Sequence, residues 1–360
     1  MKYYSNEIVF RGHPDKVCDQ ISDALLDKYI KGDANSRCGI EVVGGKGKIF
    51  ITGEVTSTSI VNVEKVVKNT LKDIGYSTDY EIINNIGLQS PDIALGTNDK
   101  VSGAGDNGMM FGFACNDNDK YLPTAMVILQ ELSQEYDKLR KSDSRFLPDG
   151  KAEICGLYDN DKLISIETFT ICYQNTEKDR KNTDNIIKSI CGSICDKYKV
   201  KVNKYLINPT GRFEIGGFVG DAGLTGRKIV VDNYQSFANV GGGAFSGKDP
   251  TKVDRSAAYY ARYVAKNIVA SGLCDRLEIQ VSYAIGVPKP VSIYVNTSGT
   301  GNEEKVLDII NKVFDFSVKN IINDLNLRTS IYHKTSRYGH FGIKTSYEEL
   351  NKVKIIKSIL

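Results

Sequence analysis

Apolar residues recur along the chain with two periods, and the order in which those periods alternate is itself repeated. Over 17–31, Ile21, Ala24, Leu25 and Tyr29 fall at helical spacing; β-rich runs follow at 39–43 and 48–56. Val63, Val67, Leu71 and Ile74 then return to helical spacing before Gly75, a residue suited to ending a helix. This predicts helix, two strands, helix. The same order returns at 123–141 (Ala125, Leu129, Leu132, Tyr136, Leu139), 152–173 and 183–197 (Ile186, Ile190, Ile194), and once more at 254–272, 277–295 and 303–318. Helix starts lie about 106 to 131 residues apart. Leu163 to Tyr173 and Leu277 to Ala284 alternate apolar and polar residues, as strands with one buried face do. The expected fold is α+β: three pseudo-symmetric repeats, each a mostly antiparallel sheet with helices packed on one face. Units of 1–98, 103–214 and 215–360 are expected, with chain exchange between repeats.

The unusual segments lie between these units. Gly103-Ala104-Gly105-Asp106-Asn107-Gly108, the stretch from Gly211 to Gly226, and Gly241 to Lys248 are dense in glycine, which allows close backbone approach to a ligand. They also serve as plain turns. Arg227, Lys228, Lys248 and Lys252 place four cations within 26 residues on these loops, just ahead of a predicted helix. Cations beside free backbone N–H groups suit a polyphosphate better than a solvated helix face does. Gly242 to Lys248 matches the spacing of a P-loop, but Asp249 stands where that loop needs Ser or Thr on its metal, so it is not one. Asp15 and Asp254 each stand near the start of the first helix of a unit, and such carboxylates near phosphates hold magnesium through oxygen. A helix cap is the simpler role for each.

Composition narrows the possible partners. In 360 residues, 47 Lys and Arg oppose 44 Asp and Glu, a net charge of +3, without the basic excess of a nucleic-acid binder. No apolar run approaches the roughly 18 residues that cross a bilayer, and Met1 to Glu7 contains no apolar signal core. No membrane is expected, and a cytoplasmic location is. Eight cysteines include no C-x-x-C, so reduced buried thiols are expected.

Read together, these segments resemble the S-adenosylmethionine synthetase family. The matching words are Gly12-His13-Pro14-Asp15-Lys16 into Asp19-Gln20-Ile21-Ser22-Asp23, Gln89-Ser90-Pro91-Asp92-Ile93, Gly103-Ala104-Gly105-Asp106 and Asn208-Pro209-Thr210-Gly211-Arg212-Phe213. Gly223 to Lys228, Gly241 to Ser256, Tyr263 to Val269 and Tyr338-Gly339-His340-Phe341-Gly342 continue in family order over nearly the whole chain. The resemblance implies transfer of the adenosyl group of ATP to the sulfur of L-methionine, then cleavage of the released tripolyphosphate to phosphate and diphosphate.

The resemblance also implies roles. His13 lies near the breaking carbon–oxygen bond, Lys151 reaches the phosphates from the turn Asp149-Gly150-Lys151, and Arg227, Lys228 and Lys248 complete the phosphate cradle. Arg212 and Phe213 lie along the nucleotide, and Ala244 touches it by backbone. Asp221 belongs to both the ATP and methionine contacts. Glu54, Gln89, Asp106 and Lys252 complete the methionine site, with Asp106 also catalytic. Asp15 and Asp254 bind two magnesium ions per active site, and Glu41 one potassium ion per subunit. The partners implied are ATP, L-methionine and further copies of the chain, as a homodimer or homotetramer with shared active sites.

The chain departs from the family pattern in places. Arg11 stands where Glu is usual, Asn107 where Gln is, Phe218-Val219 for Pro-Met, Val240 for His and Gln235-Ser236 for two glycines. The gate between Gln89 and Gly103 is short. Arg11 reverses a charge beside His13, so restoring Glu is expected to raise activity or leave it unchanged. These departures keep open a non-catalytic ATP- or S-adenosylmethionine-binding paralogue that regulates or assembles with a partner. The glycine-rich loops keep open an unrelated phosphotransferase that releases ADP.

Overall fold

The computed structural model describes residues 1–89, 103–176 and 180–360. Three sheets form its frame. The first has the order β1 (Lys2–Val9), β6 (Phe146–Asp159), β7 (Lys162–Asn175), β8 (Lys201–Val202), with β9 (Tyr205–Ile207) also paired to β7. The second runs β10 (Gly223–Leu224), β2 (Arg37–Gly45), β3 (Lys48–Thr56), β4 (Glu81–Gly87). The third runs β12 (Ser292–Asn296), β11 (Arg276–Tyr283), β5 (Gly108–Cys115). Pairing is antiparallel except where β4 joins β3 and where β8 and β9 join β7.

Each sheet borrows a strand from elsewhere in the chain. The N-terminal β1 lies on β6 in the register Lys2↔Tyr158 to Val9↔Lys151. β5 pairs with β11, over 160 residues later in its register Gly108↔Tyr283, and β10 returns to β2 as Gly223↔Gly44. β1 and β5 fall outside the repeated pattern. β5 escapes prediction because Gly112 interrupts it; a Cβ there would meet the Ala261 carbonyl carbon at 2.2 Å, so the glycine admits a helix against the sheet.

The helices are α1 (Pro14–Gly32), α2 (Val63–Ile74), α3 (Thr124–Ser142), α4 (Arg180–Lys197), α5 (Val253–Ser271) and α6 (Glu303–Val313), with shorter turns between. α1, α2, α5 and α6 share one core with the second and third sheets, and α3 and α4 close a second core on the first sheet. The helix predicted over 303–318 ends at Val313. Phe314 and Phe316 are buried in extended chain, and the Asp315 carboxylate accepts the Ser317 N–H, turning the chain into a separate short helix, Val318–Asp324.

Two of these helices carry charge into the interior. α1 and α5 each have 19 residues, and polar side chains that periodicity alone assigns to a wet face are buried. Asp15, Asp19 and Asp23, four residues apart on α1, accept the backbone N–H groups of Leu224, Gly226 and Gly247 at 3.0, 2.8 and 2.8 Å. Arg255 of α5 closes on both oxygens of Asp23 at 2.7 and 2.8 Å, and Lys16 bridges Asp19 and Asp232 at 2.9 and 2.5 Å. One acidic stripe therefore moulds both cationic glycine loops.

Candidate active site

The residues singled out by sequence fall into two clusters. In the first, Asp15 holds Lys228 Nζ at 2.6 Å through Oδ2, with Arg227 Nε at 3.7 Å and His13 Nδ1 at 3.9 Å. The register Val9↔Lys151 delivers Lys151 to the same end of the first sheet, where it ion-pairs with Glu7. Asp149 turns the chain ahead of it: its carboxylate accepts the Gly150 and Gly217 N–H groups at 2.7 and 2.8 Å. Burial, opposed by those two hydrogen bonds, raises the Asp149 pKa to about 6. Gln174 accepts Asp149 N–H and donates to the Glu214 carbonyl, so the segment holding Arg212 and Phe213 lies alongside. Arg212 pairs with Glu214 at 2.6 Å. Asp221 acts electrostatically on both His13 and Asp149.

His13 caps α1, its Nδ1 accepting Asp15 N–H at 3.2 Å. Burial and then the Lys228 charge lower its pKa to about 4, against the opposing pull of Asp15 and Asp221. The ring is neutral at physiological pH, and with Nδ1 accepting, the proton sits on Nε2.

The turn that carries His13 is held on every side. Tyr76 donates to the Gly12 carbonyl at 2.6 Å, and Gly12 lies so close to Pro148 that a Cβ would meet its backbone at 2.3 Å. Arg11 is 1% exposed; it donates to Gln20 at 2.9 Å and ion-pairs with Asp73 of α2 at 2.5 Å and Asp137 of α3 at 3.4 Å. Gln20 returns a hydrogen bond to the Arg11 carbonyl at 2.7 Å. The contacts add a cost in stability that the expectation for Arg11→Glu left out, since the substitution would set a buried carboxylate against two others. No sequence period marked Asp73 and Asp137 as its partners.

The second cluster lines a cavity of about 860 Å³ between the second and third sheets and the glycine-rich loops. Strand alternation explains its floor: Ile40, Val42, Ile49 and Ile51 point into the core, which leaves Glu41, Thr52 and Glu54 on the other face. Glu41, Glu54, Asp106, Ala244, Lys248, Lys252 and Asp254 all line the cavity. Gly39 makes room for Glu54, since a Cβ there would stand 2.7 Å from its Oε1. Asp106 accepts Asn107 N–H at 2.7 Å, Lys252 pairs with buried Asp249 at 3.0 Å, and Lys248 with Asp254 at 2.6 Å. Gln89, two residues past β4, is not among the lining residues, and the gate expected between it and Gly103 lies outside the described residues, as do Ser90 to Ile93.

The segment Gly223–Lys228 runs between the clusters. Thr225 and Gly226 line the cavity, while Leu224, Arg227 and Lys228 meet Asp15. Among the described residues no three His, Cys, Asp or Glu side chains form a metal-holding group. Asp15 and Asp254, one in each cluster, nevertheless suit magnesium, which keeps waters and takes its other oxygens from phosphates, so it needs no cage of three protein ligands. Sequence reasoning passed over Asp19, Asp23, Lys16 and Arg255, which shape the loops from beneath. For the aspartates the signal was their spacing of four along one helix, Asp15, Asp19 and Asp23.

Three family models match in chain order: S-adenosylmethionine synthetase N-terminal domain over 1–91, central domain over 101–213 and C-terminal domain over 215–350. The S-adenosylmethionine synthase of Clostridium tetani is 45% identical, with 100% of each chain covered. That of Petrotoga mobilis is 45% identical over 99% of this chain and 98% of its own, and that of Mesoplasma florum 46% identical over 99% of each.

Proposed function

The chain belongs to the S-adenosylmethionine synthetase family, and from that membership we propose how its two clusters carry the reaction. It is a methionine adenosyltransferase, making S-adenosyl-L-methionine from ATP, L-methionine and water. A thioether has no proton for a base to remove, so rate must come from alignment and from stabilising the leaving tripolyphosphate. Alignment contributes roughly 7 to 11 kcal/mol in favourable cases. In this reading the methionine sulfur attacks ribose C5′ and the neutral His13 donates from Nε2 to the departing oxygen. Lys151, Arg227, Lys228 and Lys248 gather the phosphate charge, and the tripolyphosphate is then hydrolysed to phosphate and diphosphate. Arg212, Phe213, Asp149, Gly150 and Ala244 hold the nucleotide; Glu54, Gln89, Asp106, Asp221 and Lys252 hold methionine. The carboxylates also favour the sulfonium charge as it forms.

The family uses a divalent metal. Asp15 and Asp254 would hold two magnesium ions and Glu41 a potassium ion; magnesium would neutralise phosphate charge there. The observation that carries the reading is the division itself. Asp15 stands with His13, Lys151, Arg227 and Lys228 in one cluster, and Asp254 with Lys248, Glu41, Glu54 and Asp106 in the other, so neither has the full set of residues assigned to the substrates. Two copies of the chain, as a dimer or tetramer, would complete both sites. In support, the sheet face bearing Glu41 and Glu54 leaves Val43, Phe50 and Ile83 between 36 and 42% exposed.

A cytoplasmic setting fits eight unpaired cysteines, and among the described residues no helix is long and apolar enough to cross a membrane. Arg11 no longer favours a non-catalytic paralogue, because its ion pairs and hydrogen bonds within the chain account for it. Incubation of the pure protein with ATP, methionine, magnesium and potassium tests the activity. Chromatography is expected to give S-adenosylmethionine, phosphate and diphosphate; ADP, or intact ATP bound without product, would refute it.

A further inference from the structure

Both aspartates offered to metal are already engaged, and in the same way. Asp15 and Asp254 are each the second residue of a 19-residue helix, and each holds through Oδ2 a lysine from a glycine-rich loop, Lys228 or Lys248, at 2.6 Å. Those lysines are the ones read as phosphate ligands. Neither pair is a loose surface contact: the lysine side chains are 20 and 26% exposed and the aspartates 2 and 16%.

We propose that Lys228 and Lys248 make each site selective for a metal–polyphosphate complex over free metal or free polyphosphate, by an exchange of partners. This rests on the reading of Asp15 and Asp254 as metal ligands. A divalent cation reaching either aspartate alone must displace a lysine from the same oxygen, leaving two cations side by side with one carboxylate. A polyphosphate arriving alone draws the lysine away and leaves a largely buried carboxylate beside new negative charge. When both arrive together, the carboxylate passes to the metal and the ammonium to the phosphate, and no charge is stranded. The two ligands therefore bind with positive coupling, which by linkage is reciprocal. The pairing occurs at two sites with unrelated flanking sequences, which argues against chance placement of one flexible side chain.

The test uses Mn2+ as probe, with free Mn2+ followed by electron paramagnetic resonance on the full-length protein without nucleotide. Lys248→Met and Lys228→Met are each expected to tighten Mn2+ binding by about tenfold or more, within the usual range of coupling between sites. Both are also expected to weaken binding of metal-free inorganic tripolyphosphate. Lys252→Met is the control: it removes a positive charge from the same cavity, but Lys252 pairs with Asp249. It is expected to change Mn2+ affinity by less than about threefold. Equal tightening in Lys248→Met and Lys252→Met would show that only net charge matters, and unchanged Mn2+ binding in both Lys228→Met and Lys248→Met would show no competition; either overturns the exchange. The two sites give independent variants should one fail to fold. Normal S-adenosylmethionine formation beside either negative result would refute the exchange alone, whereas failure of product formation would refute the functional reading.

Discussion

The Asp15 and Asp254 clusters use the same parts in different settings. Around Asp15 the fixed elements are backbone: the Leu224 N–H reaches its Oδ1 at 3.0 Å, and Gly223 lies against the Pro14 carbonyl, 2.2 Å from where its Cβ would be. Behind it Arg11, Gln20 and Tyr76 hold the His13 turn. Asp254 instead opens on the large cavity, and its tight neighbour is Gly243, whose Cβ would stand 2.1 Å from the Asp254 carboxyl carbon. One site is set by main chain and buried charge, the other by side chains around open space. If the proposed roles hold, rigid placement suits a group next to the breaking bond, and room suits the part that admits a substrate.

If the two clusters are halves of one site, the largest effect comes from separating them. His13→Asn and Lys248→Ala are each expected to lower turnover by more than about 100-fold as pure proteins, in line with loss of a charge-stabilising donor. Co-folded in equal amounts, they are expected to recover about a quarter of normal turnover, because half the dimers are mixed and each mixed dimer rebuilds one intact site. No recovery would place both clusters in one protomer's site and remove the comparison.

The rigidity contrast is tested by glycine. Gly223→Ala pushes on the Pro14 and Asp15 backbone and is expected to lower kcat/KM by about 100-fold, the scale of an ångström's misplacement. Gly243→Ala pushes on a side chain that can rotate, and about tenfold is expected by the same argument. The reverse order would show the Asp254 side to be the fixed one. The smallest expected effect on turnover, but a clear one on folding, belongs to Arg11→Glu. It breaks a buried ion pair and adds like charge, at a cost of about 3 to 5 kcal/mol in urea unfolding. Unchanged stability would show that the turn is held without Arg11.

Much of this was legible in sequence, for identifiable reasons. α2, α3 and the paired strands β2–β3 and β6–β7 announce themselves because each buries one stripe or one face, and α1 and α5 do so by the helical spacing of their apolar residues although polar residues are buried there too. β1 and β5 do not, since their partners lie over a hundred residues away and local period carries no trace of pairing. The candidate site residues were named from family words, and alternation explains why Glu41 and Glu54 share a face. The division into two clusters could not be read, because Leu224, Thr225, Gly226 and Arg227 are neighbours in sequence yet serve opposite sides of one segment. The role of Arg11 was hidden for a similar reason: a lone cation beside a glycine turn reads as exposed until Asp73 and Asp137 arrive from two other helices.

The borrowed strands also bear on how the molecule is made. As the chain leaves the ribosome, its first strand has no partner until residues 151 to 158 have been synthesised, and the edge of β2 away from β3 stays unpaired until Gly223 and Leu224 emerge. β5 is paired last, by residues 276 to 283. No third of the chain completes its own sheet during synthesis, so closure is postponed until most of the polypeptide is available, and unpaired edges persist meanwhile. Fragments cut at the unit boundaries would inherit those open edges for good.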